Sequence, residues 1–283
     1  MITTALWRGG NYATAERLAR ASLKAVSGLS TDHPASLTAR SQLAHVIAVT
    51  RYDEAEKMFR KILEDQRCIL GDLHPDTMFS RRVLARLAGL RGRYRQAEQM
   101  YRRLIADCQH RLDGDHEEIL HLRHGLAGMV ERLGRFEEAE SMFRALHDDQ
   151  RRILGDDHQE CLELRSGIGR PVEDQQRYAE AEQLYRHLLA DRERVLGGDH
   201  PSTLNTRHSL ARVVAAQGDL DEAEKLYQGL FADRQRILGD DHPLTIATRE
   251  FLTKMREDSS LAGQPGIAPM EALMYLPHEH SSE

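Results

Sequence analysis

Apolar residues between Tyr52 and Leu70 recur at the spacing of one face of a helix. Counted from Ala55, they stand at offsets of 3, 4, 7, 8, 14 and 15 residues, and the positions between them carry Asp, Glu, Lys and Arg. A period near 3.6 residues predicts an amphipathic helix with one buried and one solvated face. Gly71 follows at once, and a glycine there favours a left-handed residue that ends the helix.

The whole pattern returns at a spacing of 42 residues, or 40 for the first copy. An alanine marks each of the six copies, and a glycine is expected to end the helix in each copy after the first. The alanines are Ala15, Ala55, Ala97, Ala139, Ala181 and Ala223, and the glycines are Gly71, Gly114, Gly155, Gly197 and Gly239. A fixed period of this length predicts a stacked array of small helical units without a single central core.

A second helix is predicted in each unit, between that glycine and the next aromatic residue. It starts at Asp-His-Pro or a variant, where proline suits the first helical turn. It ends at a second glycine, such as Gly92, Gly134 or Gly218. We call this element helix A and the helix that follows it helix B. Leu-Ala pairs in helix A, together with the alanine of helix B, predict a close crossing of roughly 8–10 Å between the two helices.

One histidine stands at the start of every predicted A helix: His33, His74, His116, His158, His200 and His242. Such a series raises the question of metal or acid–base chemistry. Equivalent positions in stacked units are about 10 Å apart, however, and one metal with bonds of roughly 2 Å cannot bridge them. We therefore expect these histidines to cap and pack the helix starts, and we expect no metal and no other cofactor.

One A helix departs from the pattern. Its sequence reads GIGRPVEDQQ from Gly167 to Gln176, where the neighbouring copies have GLAGMVERLG and SLARVVAAQG. Two glycines and Pro171 within five residues are unfavourable in a helix interior. We predict that this helix ends early or kinks near Arg170.

Composition narrows the class of protein. The chain has 283 residues, of which 40% are hydrophobic and 30% charged, and this is too apolar for general disorder. The net charge is −6 with both signs interspersed, so no basic stripe indicates nucleic acid. Cys68, Cys108 and Cys161 form no pattern and are expected to be inert thiols in a reducing compartment. No signal peptide or membrane span is recognisable, and we expect a cytoplasmic protein without a membrane partner.

Leu-Ala, then Gly-x-aromatic, then Glu-Ala-Glu-x-x-Tyr resembles the tetratricopeptide repeat (TPR). The 42-residue period with Leu-Gly-x-Asp-His-Pro is similar to the kinesin-light-chain type of that repeat, over roughly Ala5 to Glu257. The resemblance implies an all-α, right-handed superhelical solenoid of antiparallel helix hairpins, with about six repeats that are partial at both ends. It also implies A helices that line a concave groove and bind a protein or peptide. We place the array at 1–258 and a flexible tail at 259–283.

The family often carries Asn-Asn before Leu-Ala, and this sequence has other residues there. Two further rows are periodic: arginines in helix A (Arg40, Arg81, Arg123, Arg165, Arg207, Arg249) and aspartates in helix B (Asp65, Asp107, Asp149, Asp191, Asp233). They form either a structural ladder of ion pairs or an electropositive groove wall for an acidic peptide. The candidate groove residues are Arg81, Arg82, Arg123, His124, Arg165, Ser166, Arg207 and His208.

The two carboxylates of each Glu-Ala-Glu motif are expected to be solvated, because residues two apart lie on different sides of a helix. Catalysis needs groups that converge on one point, and a periodic array spreads like groups evenly, so we do not expect an enzyme. We predict an interaction scaffold. The alternative is a regulatory or sensor module, an arm of a larger signalling protein or a ligand-responsive array, that changes curvature near 167–171. Two interpretations stay open for the apolar tail segment 270–276: a disordered end of the chain, or docking in cis into the groove.

Overall fold

The computed structural model describes residues 12–31, 33–48, 51–109, 113–114 and 116–261. Within these residues all regular structure is helical, and helices of type B and type A alternate as predicted. The helices are α1 (Tyr12–Ala25), α2 (Pro34–Ile47), α3 (Tyr52–Leu70), α4 (Pro75–Leu90), α5 (Tyr94–Gln109), α6 (Glu117–Arg132), α7 (Phe136–Leu154), α8 (Gln159–Asp174), α9 (Tyr178–Leu196), α10 (Pro201–Ala216), α11 (Leu220–Leu238) and α12 (Pro243–Leu261). The segment around Trp7 and the tail segment 270–276 lie outside the described residues.

The chain forms two compact units. Unit 1 ends at Gly134 and holds α1 to α6, and unit 2 begins at Arg135 and holds α7 to α12. Within each unit every helix packs against the next one along the chain. Short connections make these neighbours antiparallel hairpins, so each unit is a stack of hairpins and the predicted all-α repeat architecture is confirmed.

A buried alanine in each B helix allows the helices of a hairpin to pack closely. The alanine that marks each B helix is fully buried in all six copies. One turn later an aromatic ring fills the space beside it, and the rings of Phe59, Phe143, Tyr185 and Tyr227 are at most 1% exposed. Full burial of a large apolar side chain stabilises a fold by about 1.5–3 kcal/mol. The repeated core therefore rests on a small residue that permits close approach and a ring that fills the remaining volume.

The histidine series caps the A helices, as predicted. In each of the six copies, Nδ1 of the histidine accepts a hydrogen bond from the backbone N–H two residues further on, at 3.1–3.3 Å. This bond satisfies one of the helix-start donors that lack a partner within the helix. Since Nδ1 accepts, the neutral imidazole carries its hydrogen on Nε2.

Glycines end most of the B helices in the predicted way. Gly71, Gly155, Gly197 and Gly239 have φ between +85° and +90°. Gly114 does not share this conformation, and the prediction for it is wrong. The reason is register, because Asp113 stands 42 residues from both Gly71 and Gly155, and Gly114 lies one residue beyond.

The A helix with the glycine-proline sequence does not end early. Helix α8 has 16 residues, the same length as α4, α6 and α10. Its glycines are packing positions: a Cβ on Gly167 would stand 2.9 Å from the ring of Phe143, and a Cβ on Gly169 would stand 2.7 Å from the ring of Tyr185. Rings of the flanking B helices thus occupy the space, and this burial outweighs the low helix propensity of glycine.

The second glutamate of the Glu-Ala-Glu motif is buried in two copies, contrary to expectation. Glu56 is 6% exposed and accepts hydrogen bonds from Arg91 and Arg93, both at 2.6 Å. Glu140 is 9% exposed and accepts from Arg177 at 2.7 Å and from Gln175 at 2.9 Å. The donors lie in the turn between the next A and B helices, so this carboxylate joins one repeat to the following one.

Candidate interaction face of the A helices

The arginine row of helix A lies at the joint with the next B helix, where aspartates pair with it. The pairs are Arg40–Asp65 (2.6 Å), Arg81–Asp107, Arg165–Asp191 (2.6 Å) and Arg207–Asp233 (2.5 Å). Arg123 is half-buried at the same position of α6. These four pairs are the ion-pair ladder that the sequence offered as one of two interpretations, and partly exposed pairs of this kind contribute about 0–1 kcal/mol each.

The residues that directly follow this row are half-buried or exposed. In unit 1, Arg82 donates from Nε to Glu118 of the next A helix at 3.1 Å, and its guanidinium lies 5.4 Å from the centre of the Phe79 ring. In unit 2, the His208 ring meets the Tyr227 ring edge-on at 5.6 Å. His124 is exposed and Ser166 is half-buried. The candidate residues therefore divide into a paired row and an accessible row.

Arg86 is a functional candidate that the sequence interpretation missed. It lies one turn after Arg82 on α4 and is half-buried. Burial and the like charge of Arg82 lower the pKa of this guanidinium, which the polar rings of Tyr101 and Tyr52 partly oppose. Among the described residues, no carboxylate pairs with it or hydrogen-bonds to it. A desolvated cation without a counter-ion is costly to keep in a folded protein.

His45 completes this region on the preceding A helix. Its ring lies 5.7 Å from that of Phe79. Burial, together with the positive charges of Arg86 and Arg82, lowers the pKa of His45 to about 4. The imidazole is therefore neutral at neutral pH, and the positive charge of this region of unit 1 belongs to the two arginines.

In unit 2 the arginine at the repeat position of Arg86 is Arg212, and it has a carboxylate partner. Arg212 donates to Glu173 at 2.7 Å, and the hydroxyl of Tyr185 donates to the same carboxylate oxygen at 3.3 Å. Glu173 is the fourth residue after the Ile168-Gly169 pair of α8, and the corresponding position in the first repeat is Ala48. Because Ala48 carries no charge, it cannot pair with Arg86 as Glu173 pairs with Arg212.

The position of these arginines in the repeat can be recognised from the sequence. Arg86 and Arg212 directly follow a Leu-Ala pair, and Arg170 stands at the same position of the repeat. The asparagines typical of the family stand before Leu-Ala, so the family pattern does not mark the residue after it. The lack of a carboxylate beside Arg86 depends on Ala48, 38 positions upstream, and the residues around Arg86 do not indicate it.

Other chemistry is limited in the part of the chain that the structure describes. No group of three or more His, Cys, Asp or Glu side chains there could hold a metal ion. Cys108 and Cys161 are buried and Cys68 is exposed, and all three are free thiols. None of the described helices has the length and apolar composition that a bilayer crossing demands.

Stacked antiparallel hairpins with a 42-residue period define a helical repeat protein. Profiles described as tetratricopeptide repeat match residues 45–110 and 172–228, residues 119–160, and residues 4–21. These matches cover well over half of the sequence, and the chain belongs to the tetratricopeptide repeat family, in its kinesin-light-chain-like type. Proteins of this family are in general interaction scaffolds that bind proteins or peptides.

Solved structures agree with this assignment. The nearly identical TPR-like repeats assigned to a kinesin light chain of Podosopora anserina share 25% identity, with a TM-score of 0.59 over 72% of this chain and 97% of that one. BtubC (BKLC) from P. vanneervenii shares 19% identity, with a TM-score of 0.65 over 82% and 94% of the two chains. A Rap protein complexed with Competence and Sporulation Factor shares 11% identity, with a TM-score of 0.57 over 93% and 74%. The last two show the fold alone, and no curated protein matches the sequence.

Proposed function

We propose that this protein is a non-enzymatic scaffold that binds an extended segment of a partner protein on the faces of its A helices. On unit 1, Arg82 and Arg86 receive an acidic side chain of that segment. The observation that supports the proposal is the half-buried Arg86 guanidinium without a carboxylate partner among the described residues. A carboxylate from a partner would form a charge-assisted bidentate pair with it.

The proposed contacts extend the predicted set. Arg81, Arg165 and Arg207 already pair with aspartates, so their role is to hold the A helices in place. The accessible row supplies hydrogen bonds to the partner's backbone and side chains. The full proposed set, which includes both the positioning residues and those that contact the partner, is Arg81, Arg82, Arg86, Arg123, His124, Arg165, Ser166, Arg207 and His208.

Selection of a random peptide display library on the whole chain tests this proposal. We expect enrichment of peptides that carry Asp or Glu, and at least tenfold weaker binding of those peptides to Arg86→Gln. Arg103→Gln is the matched control, because it removes the same charge from the exposed side of α5. Selected peptides that bind Arg86→Gln as tightly as the wild type would overturn the role of Arg86, and the absence of any selected peptide would overturn peptide binding itself.

A second candidate is a regulatory or sensor module whose curvature changes near 167–171. One observation favours it. Gln176, the second residue after α8, has φ +60°, a conformation that costs a non-glycine residue energy and that often occurs at switch regions. Small-angle scattering with and without a selected peptide separates the candidates, because a rigid scaffold keeps one scattering profile and a sensor does not.

The tail and the cellular location belong to the same proposal. The segment 270–276 lies outside the described residues, and its docking in cis would place an occupant on the A-helix face in the free protein. Removal of 262–283 should then increase peptide affinity, and unchanged affinity would exclude cis docking. A cytoplasmic location, with no nucleic acid or membrane as partner, is consistent with the interspersed charge of the sequence.

A further inference from the structure

One buried position near the end of each B helix holds a different side chain from repeat to repeat. It is the residue directly after the aspartate of the ion-pair ladder. The series is Gln66, Cys108, Gln150, Arg192 and Arg234, and each of these side chains is at most 4% exposed. A long polar side chain occupies this place in four copies and a short thiol in one.

The arginine at this position in α9 shows what the surroundings offer. Arg192 donates from Nη1 to the backbone oxygen of Ser202 at 2.9 Å and to Oγ1 of Thr206 at 2.7 Å. From Nη2 it donates to the backbone oxygen of Leu162 at 3.3 Å and pairs with Glu163 at 2.9 Å. The A helices on both sides thus form a receptor for one guanidinium group inside the protein.

Other copies use the same receptor. Arg234 donates to the backbone oxygen of Leu244 at 3.2 Å and to Oγ1 of Thr248 at 2.8 Å, which are the equivalents of the Ser202 and Thr206 contacts. Gln150 reaches the carboxylate of Glu160 at 3.0 Å, at the same spacing of ten residues. The position is therefore a place for a side chain that donates hydrogen bonds to the neighbouring A helices.

In α5 this position holds the short side chain of Cys108, and the space that a long side chain would fill is empty. A cavity of about 440 Å³ lies beside Cys108, and two of its lining residues stand at repeat positions that contact the equivalent arginine in α9. Its lining includes Met78 and Glu118, the equivalents of Leu162 and Ser202, whose backbone oxygens accept from Arg192. Leu73 and Pro75 add apolar walls, and Asp107 adds a second carboxylate.

The electrostatics of this cavity suit a cation. Burial raises the pKa of the Cys108 thiol, and the carboxylate of Glu118 raises it further, whereas Arg81 opposes this effect and Asp107 adds a small contribution. Glu118 and Asp107 place two carboxylates at the cavity wall, and each of them also pairs with an arginine, Arg82 and Arg81 respectively. Apolar walls with a few convergent polar groups are the usual make-up of a ligand pocket, and the volume lies within the usual range of about 300–1,000 Å³.

We propose that the cavity beside Cys108 binds a guanidinium group on an aliphatic stem, supplied by another molecule. The head group takes the place that the guanidinium of Arg192 takes in its own repeat, and the stem lies along Met78, Leu73 and Pro75. The site is in unit 1 and adjoins two residues proposed for peptide binding, because Arg81 pairs with Asp107 and Arg82 pairs with Glu118. The proposal does not require that a peptide binds, since the cavity is present in the free protein.

Agmatine, which is a guanidinium on a four-carbon stem, is the probe, and butylurea is its neutral counterpart. In titration calorimetry on the whole chain we expect saturable binding of agmatine and at least tenfold weaker binding of butylurea. Cys108→Arg should fill the cavity from within, raise the Tm and abolish agmatine binding. Cys108→Gln, which copies the residue of α3 and α7, should weaken agmatine binding at least tenfold and serves if the arginine variant does not fold.

Cys68→Arg is the matched control, because it makes the same change at an exposed cysteine and should leave agmatine affinity unchanged. A short peptide with one central arginine distinguishes the two sources of the group: competition with agmatine indicates a protein side chain, and no competition indicates a small molecule. The proposal is overturned if agmatine does not bind, or if Cys108→Arg and Cys108→Gln both bind it as well as the wild type.

Discussion

The carboxylate of Glu173 and the guanidinium of Arg212 meet at 2.7 Å in the interior of unit 2. Glu173 is 8% exposed, and burial outweighs the attraction of Arg212, so the pKa of this carboxyl rises to about 7. The arginine lowers the pKa only in part, because removing a carboxylate from water costs more than one ion pair returns. At neutral pH both protonation states of Glu173 are populated.

Glu173 should make unit 2 less stable as the pH rises. Since the native state binds its proton more tightly than the unfolded chain, the free energy of unfolding should fall from about pH 4.5 to pH 7, by on the order of 3 kcal/mol. Glu173→Gln should remove this slope, because an amide does not titrate. Amide hydrogen exchange of α8 to α10 as a function of pH measures it. Glu180→Gln removes a carboxylate whose side chain is 41% exposed and should keep the slope. Equal slopes in Glu173→Gln and wild type would refute the assignment.

His45 should have the opposite effect in unit 1. Its pKa of about 4 lies below the ordinary histidine value, because burial and the charges of Arg86 and Arg82 oppose protonation. The unfolded chain therefore binds the proton first, and unit 1 should lose roughly 3 kcal/mol as the pH falls from about 6.5 to 4. His45→Gln should flatten this loss in hydrogen exchange of α2 and α4. His33→Gln is the comparison, and a loss that only His33→Gln abolishes would assign the effect to the helix cap.

Two glycines of α6 should respond in opposite directions to the same substitution. A Cβ on Gly125 would stand 2.6 Å from the buried ring of Tyr101, whereas a Cβ on Gly128 would meet nothing within 4 Å. Gly125→Ala should therefore destabilise unit 1 by about 1–3 kcal/mol through overpacking. Gly128→Ala should stabilise it by about 0.5–1 kcal/mol, because alanine is the better helix former. Urea unfolding of both variants tests the pair, and equal shifts would show that the ring yields without cost.

The repeat period was enough to predict the helices, their order, the buried alanines and the histidine caps, because each of these depends on residues close together in sequence. The exceptions depend on a partner further away. Whether Gly167 breaks or supports α8 depends on the ring of Phe143 on another helix. Whether Glu56 is solvated depends on Arg91 and Arg93 in the next repeat. Alignment of the copies shows where a residue stands, and only the packed structure shows what it meets there.

Among the described residues, Gln176 is the only non-glycine residue with a positive φ, at +60°. The position 42 residues later is Gly218, which has φ +90°, and Gly92 and Gly134 occupy it in other copies. A left-handed conformation costs a residue with a Cβ roughly 1–2 kcal/mol, and the Gln176 side chain is exposed and offers no core burial in return. Gln176→Gly should therefore stabilise unit 2 by about 0.5–1 kcal/mol, after the greater freedom of glycine in the unfolded chain is subtracted.

The reciprocal variant makes this prediction specific. Gly218→Gln places the same side chain at the same position of the next repeat, where φ is +90°, and should destabilise unit 2 by a similar or larger amount. The free energy of unfolding in urea, with hydrogen exchange of α8 to α11 as the local probe, measures both changes. If the strain at Gln176 serves a switch, Gln176→Gly should also suppress any change in the scattering profile on peptide binding. A variant with unchanged stability would mean that the turn relaxes at no cost, and the support that Gln176 gives to a sensor role would disappear with it.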